Sequence, residues 1–270
     1  EYVDLVLRFA EPETDVGVLQ SLHQQARTAL TQYAAPEWRP VGGRLLAAGA
    51  RSALHEAVAG SDHQLAWARF FASVAATEAD LSLLHGLLSG PDAVDGLDVD
   101  QDLRWSVLER LAAHGVANEQ TLRAELGRDD TASGARQLAR CLAARPDPRA
   151  KAEAWCRVVE SGELPNAMVD AVVAGFNQAD QRDLLAPYAP KYFAVLKAVW
   201  SQRSIEAAMR IVRGFFPALQ TSQETLDATD GWLARASAPP ALRRLVLEAR
   251  DDLARTLHAQ ERDAGAAEPD

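Results

Sequence analysis

A histidine followed directly by a glutamate can open the metal-binding helix of a zinc peptidase, and the chain contains one such pair, His55-Glu56. That chemistry needs a second histidine four residues after the first. Both imidazoles then lie on one helix face and reach a single metal, while the glutamate polarises its water. Here the required position is Ala59, and His63 lies beyond Gly60. The motif is incomplete, and His55 and Glu56 read as surface residues of an alanine-rich helix. No nucleophile elbow, P-loop or dinucleotide glycine motif sits in a strand–turn–helix context. Gly42-Gly43 follows Pro40 and reads as a flexible bend rather than an anion-binding helix start. Asp129-Asp130, Asp251-Asp252 and Glu261 read as solvated or capping carboxylates at exposed helix ends.

The segment from Phe176 to Phe193 has the composition best suited to holding a peptide. It gathers Asn177, Gln178, Gln181, Arg182, Tyr188, Lys191, Tyr192 and Phe193 around Pro187 and Pro190. Amide, guanidinium and phenol groups hydrogen-bond peptide backbone and termini, and the rings offer flat apolar area. The prolines interrupt regular helix and can turn those side chains towards a cavity. Asn177, Gln181, Arg182, Tyr188, Lys191 and Tyr192 are therefore the candidate substrate-access residues, with Tyr188 and Gln181 expected on a concave rim. Helical spacing also lets Tyr188, Tyr192 and Phe193 serve as core residues. Trp67, Trp105, Trp155 and Trp200 read as core.

The elements that must position these residues are helices. Asp15–Tyr33 carries Val18, Leu19, Leu22, Ala26, Ala29 and Leu30 on one stripe. Leu45–Val58 is an alanine-rich helix ended by Gly60, and Ser61 with Gln64 predicts a capping box at the next start. Thr77, Asp100 and Asn118 stand at further N-caps, and Gly90-Pro91 and Gly115 at stops. Residues 92–99 form an acidic, glycine-bearing loop, and Glu11–Thr14 a turn. Centrally, residues 135–144 form a helix ended by Pro146. Asp147 caps another that opens with Pro148, carries Ala152, Trp155, Val158 and Val159 inward and stops at Gly162. Later helices are expected over Ser201–Phe216, Ser222–Ala236 and from Pro239-Pro240 onwards. About fourteen helices result, with no period-2 alternation of strand length. Gln64-Leu65-Ala66-Trp67 and Asp102-Leu103-Arg104-Trp105 lie 38 residues apart without a third copy. The expected architecture is all-α, an irregular stack of antiparallel helix pairs forming a HEAT- or armadillo-like α-solenoid with a concave face. Residues 1–260 make the helical domain, and 261–270 a polar tail that frays.

Composition narrows the function classes. Of 270 residues, 48% are hydrophobic and only 6% aromatic, which favours helix over sheet in a soluble protein. A net charge of −10 without a basic stripe argues against nucleic acid, and no apolar run is long enough to span a bilayer. Two cysteines make no disulfide framework, and Cys141 and Cys156 read as small apolar fillers in a reducing, cytoplasmic setting. The chain begins without methionine and already in helical period at Val3, Leu5-Val6 and Phe9. It is thus expected to be an N-terminally truncated piece of a longer protein.

The strings ARPDPRAKAEAW, ELPNAMVDAVVAGF, DQRDLLAPYAPKYF and RRLVLEARDD resemble the C-terminal helical domain of actinobacterial aminopeptidase N. The resemblance runs from about Glu1 to about Asp263. It implies a non-catalytic domain of a zinc metallopeptidase whose thermolysin-like catalytic domain lies outside this chain. The helical domain would close over that catalytic domain, wall off a cavity and gate peptide entry for release of N-terminal amino acids. Zinc and the Gly-x-Met-Glu-Asn motif that holds the peptide amino terminus would belong to the catalytic domain, since neither motif occurs here. The implied partners are the catalytic domain of the same parent chain and peptide substrates, with no nucleic acid and no membrane. The other reading is a free-standing helical scaffold that binds a protein partner on its concave face.

Overall fold

The computed structural model describes residues 2–10, 12–90, 94–235 and 237–266. Among them every regular element is helical, fifteen α-helices with short π and 3-10 turns and no strand, in agreement with the all-α expectation. Glu11 of the first turn, Pro91 of the expected helix stop, residues 92–93 of the acidic loop, Ala236 and the last four residues of the tail lie outside the described residues.

The chain divides into two compact units, residues 1–117 with 260–270, and residues 118–259. The first unit holds α1 (Tyr2–Phe9), α2 (Val16–Thr28), α3 (Arg39–Glu56), α4 (Asp62–Val74), α5 (Glu78–Ser89) and α6 (Gln101–Ala113). Its centre is α4, which packs on α2, α3 and α6. Trp67, Phe70 and Phe71 of α4 are buried there with Leu19, Leu46, Leu54 and Trp105.

Local chemistry sets the helix starts. Asp15 accepts from Gly17 N and Val18 N, Asp100 from Leu103 N and Asn118 from Thr121 N. Thr77 and Asp80 form a reciprocal capping box. Ser61 caps α4 as expected, but the return bond differs: Gln64 Oε1 accepts from Gly60 N at 2.8 Å rather than from Ser61. Gly60, Gly115 and Gly162 all take positive φ, the conformation in which glycine avoids the Cβ clash.

The buried stripe of α2 differs from the one the sequence suggests. In α2 the buried positions are Leu19, His23 and Ala26, while Val18 is exposed. His23 stacks on Phe70 at 4.2 Å and meets Trp67 at 4.2 Å, so an imidazole completes an aromatic floor. The last five residues of the expected Asp15–Tyr33 helix form a π turn, Ala29–Tyr33.

Helix α3 starts at Arg39, with Pro40 in its first turn, and runs straight through Gly42 and Gly43. The expected bend is therefore wrong. A Cβ on Gly42 would lie 2.2 Å from the Trp38 ring and 2.7 Å from Leu30, so this glycine permits close packing.

The second unit holds α7 (Glu119–Arg128), α8 (Ala132–Ala144), α9 (Pro148–Trp155), α10 (Asn166–Phe176), α11 (Arg182–Leu185), α12 (Tyr188–Gln202), α13 (Ile205–Gly214), α14 (Gln223–Arg235) and most of α15 (Pro240–Ala266). Its central helix is α10, packed on α8, α9 and α13. The expected Ser201–Phe216 helix is divided, because Ser204 caps α13 by accepting from Ala207 N. Helix α15 continues to Ala266, past the point where fraying was expected. Gln260 donates to Gln32 O and Asp263 accepts from Ala35 N, bonds that hold these turns within the first unit. Trp67, Trp105 and Trp155 are buried and Trp200 is half-buried. Cys141 is buried but Cys156 is exposed, so only Cys141 is an interior filler; both are free thiols.

Candidate functional site at the Phe176–Tyr192 turn

Helix α10 ends at Phe176 and the chain returns through a 3-10 turn, Ala179–Gln181, and the single turn of α11. Pro187 then precedes α12. A short connector of this kind exposes the last carbonyls of every helix ending nearby, and each needs a donor. The polar side chains singled out in the sequence supply several of them.

Asn177 Nδ2 donates to Val173 O at 3.1 Å and to Gly214 O, at the end of α13, at 2.7 Å. Gln181 is buried and donates from Nε2 to Ala144 O, the last carbonyl of α8, at 2.7 Å. Arg182 donates to Leu219 O, and its own carbonyl accepts from Gln220 Nε2 at 2.7 Å. Tyr192 is 1% exposed, donates to Val212 O at 2.9 Å, and has its hydroxyl pKa pushed up by burial. These four side chains tie α8, α10, α12 and α13 together.

Tyr188 and Lys191 are placed differently. The Tyr188 ring joins Trp155, Phe176 and Phe215 in a four-ring cluster, with centroids 5.0 to 5.3 Å apart. Edge-to-face contacts of this type add stabilisation beyond the area they bury. The same ring borders a hollow of about 20 Å³ between the end of α10 and Pro217. Lys191 is exposed and carries its ammonium 4.7 Å above the Tyr188 ring. Phe193 packs edge-on against Tyr192.

Lys151 is the residue that sequence reasoning missed. It is wholly buried, and its Nζ donates to Ala143 O at 2.7 Å and Phe176 O at 3.0 Å, the ends of α8 and α10. The inward stripe of α9 is Ala150, Lys151, Ala154 and Trp155, continued by Val158 and Val159, whereas Ala152 faces solvent. A signal existed in the spacing, since Lys151, Trp155 and Val158 stand at i, i+4 and i+7. Burial pushes the Lys151 pKa from 10.5 down to about 7. A neutral amine has two N–H donors, matching its two acceptors.

This shift has a pH signature. The unfolded chain keeps a proton on Lys151 up to about pH 10.4, while the folded chain releases it near pH 7. Stability linked to this group is full above the unfolded pKa and is lost as pH falls through about 7. Calorimetry is expected to show the melting temperature rising between about pH 7 and 10. In Lys151→Met that rise should shrink, since the thioether does not titrate.

Among the described residues no group of three or more His, Cys, Asp or Glu side chains could hold a metal ion. His55 lies exposed in the last turn of α3, and Ala59 lies beyond the end of that helix. No described helix is long and apolar enough to cross a membrane.

What these observations define is an all-helical packing domain whose buried polar side chains close helix ends. The chain belongs to the family of ERAP1-like C-terminal domains, which matches residues 1–255. It is 52% identical over 268 residues, 99% of its length, to Aminopeptidase N of Streptomyces lividans, and covers 31% of that protein. A stretch of 38 residues, 14% of this chain, is 53% identical to Aminopeptidase G of Streptomyces lividans and covers 52% of it. The resemblance to an aminopeptidase N C-terminal domain read from the sequence therefore holds.

Proposed function

We propose that this chain is the non-catalytic part of a zinc aminopeptidase, capping the catalytic domain of the same parent chain. In this reading a concave face of stacked helix pairs walls off an internal cavity. It gates the peptides from which N-terminal amino acids are released, and excluding water and folded chains needs no catalytic residue here. The observation that carries the proposal is the match along 99% of this chain to only 31% of an aminopeptidase N. The zinc belongs to the catalytic domain, in keeping with the incomplete His55-Glu56 motif, and the setting is cytoplasmic. Nothing observed favours a free-standing scaffold.

Within that role we assign access to Tyr188 and Lys191, the exposed cation over the ring at the turn. Asn177, Gln181, Arg182 and Tyr192 act by holding the backbone that presents them. The test is steady-state kinetics of the full-length parent carrying Lys191→Ala with Tyr188→Phe. The expected result is a change of about threefold or more in kcat/KM for a ten-residue peptide, with a single aminoacyl amide unchanged. Equal changes for both substrates, or none for either, would count against gating at this turn.

A further inference from the structure

Outside the turn just described, the structure contains a hollow of about 350 Å³ in the first unit, lined by one face of α2 and one face of α4. That volume lies within the ordinary range for small-ligand clefts. Its lining follows helical spacing on both sides. Helix α2 contributes residues 20, 23, 24 and 27, and α4 contributes residues 66, 69, 70 and 73. Each set is an i, i+3, i+4, i+7 face, the set a helix turns towards a single neighbour. The two helices pack on each other through His23 and Phe70, and the remaining residues of each face border the hollow.

The floor is aromatic and the walls are polar. His23 lies parallel to Phe70, with 4.2 Å between ring centroids and 4° between planes. His23 is only 5% exposed, and its Nε2 has no hydrogen-bond partner. The walls carry two guanidinium groups, Arg27 and Arg69, and no carboxylate belongs to the lining. Arg69 uses Nη2 on Asp100 at 2.9 Å, which leaves further donors of its fork. Gln20 and Gln24, both exposed, add two side-chain amides to the lining. The chain carries a net charge of −10, and the lining brings two guanidinium groups to one hollow, that of Arg69 paired with Asp100.

We propose that this hollow binds a small oxyanion, a carboxylate or a phosphate, gripped by Arg27 and Arg69 above the His23–Phe70 floor. Guanidinium forks match the paired oxygens of both groups, and the glutamine amides supply further neutral donors. Burial lowers the His23 pKa to about 4, so the imidazole is neutral at pH 7 and offers one donor and one acceptor. This site is independent of the role proposed for the Phe176–Tyr192 turn.

The test is a titration of the 270-residue chain with sodium succinate and, separately, sodium phosphate, at constant ionic strength set by sodium chloride and at neutral pH. Imidazole resonances are followed by proton–carbon NMR. A saturable shift of the His23 ring, with Kd below about 10 mM, is expected. Arg27 is exposed, so Arg27→Gln keeps the fold, and it should weaken binding about tenfold; the double variant with Arg69→Gln should abolish it. Saturation by both salts supports a general oxyanion site, and saturation by one alone identifies the group. Shifts that stay linear to about 100 mM, or that the arginine variants leave unaltered, would overturn the proposal.

Discussion

Replacing Lys151 by alanine is expected to cost the chain about 3 kcal/mol, roughly a hundredfold or more in the folding equilibrium. The substitution removes a four-carbon stem that is wholly buried and leaves a void beneath the Phe176 ring, over which the amine sits at 5.6 Å. It also leaves Ala143 O and Phe176 O, the ends of α8 and α10, without this donor. Truncating a buried long side chain costs about 2–5 kcal/mol, and an unpaired buried carbonyl about 1–3 kcal/mol. Removing an amine whose charged form is disfavoured by burial offsets part of the sum. Lys151→Met keeps the volume and should lose about half as much. Urea titration followed by tryptophan fluorescence measures both. A Lys151→Ala midpoint indistinguishable from wild type would show that other groups hold the two helix ends.

The position of Lys151 explains how far the fold could be read in advance. Caps and stops are local, and Asp147, Thr77, Asp100, Asn118, Gly115 and Gly162 stand where a reading of single residues puts them. The all-α class follows from the same signals. A lysine in an amphipathic pattern is read as solvated, because its burial depends on acceptors from elsewhere in the chain. Those acceptors lie 8 and 25 residues away and come together only when α8, α9 and α10 pack. Cys156 misled in the opposite direction, since its small apolar character allowed a core position but the α9 stripe ends on another face. Gly42 looked like flexibility because the sequence does not show that the Trp38 ring, four residues earlier, folds over it together with Leu30. The candidate turn was legible as a polar and aromatic concentration. Its division into helix-closing groups and the Tyr188–Lys191 pair was not, because Val212, Gly214 and Leu219 arrive from a later part of the chain.

Gly175→Ala is expected to destabilise by about 3 kcal/mol, although alanine is the better helix former by about 1 kcal/mol. A Cβ at Gly175 would lie 2.0 Å from Arg140 O, 2.8 Å from its carbonyl carbon and 3.0 Å from its Cα. These are backbone atoms of α8, so no rotamer change relieves the overlap and the two helices must separate. The same seam holds the Lys151 amine, whose bonds to Ala143 O and Phe176 O span α8 and α10. Overpacking of this kind costs about 1–3 kcal/mol where side chains can yield, and rigid backbone puts this site at the upper end. Gly127→Ala is the control, since a Cβ there meets nothing within 4 Å. It should stabilise by several tenths of a kcal/mol, in line with about 1 kcal/mol for full helix propensity. Opposite signs at the two glycines, read by thermal or urea unfolding, establish backbone approach as the reason for Gly175. A neutral or stabilising Gly175→Ala would show that α8 and α10 separate at little cost.

The proposed function has this chain serve a zinc aminopeptidase without itself hydrolysing peptides. The most direct test is to equilibrate the isolated chain with one equivalent of zinc and measure hydrolysis of an aminoacyl anilide with and without a chelator. The predicted result is a rate equal to the buffer blank in both conditions, because Ala59 stands where a second histidine ligand would be needed. Zinc-dependent turnover that the chelator abolishes would contradict it.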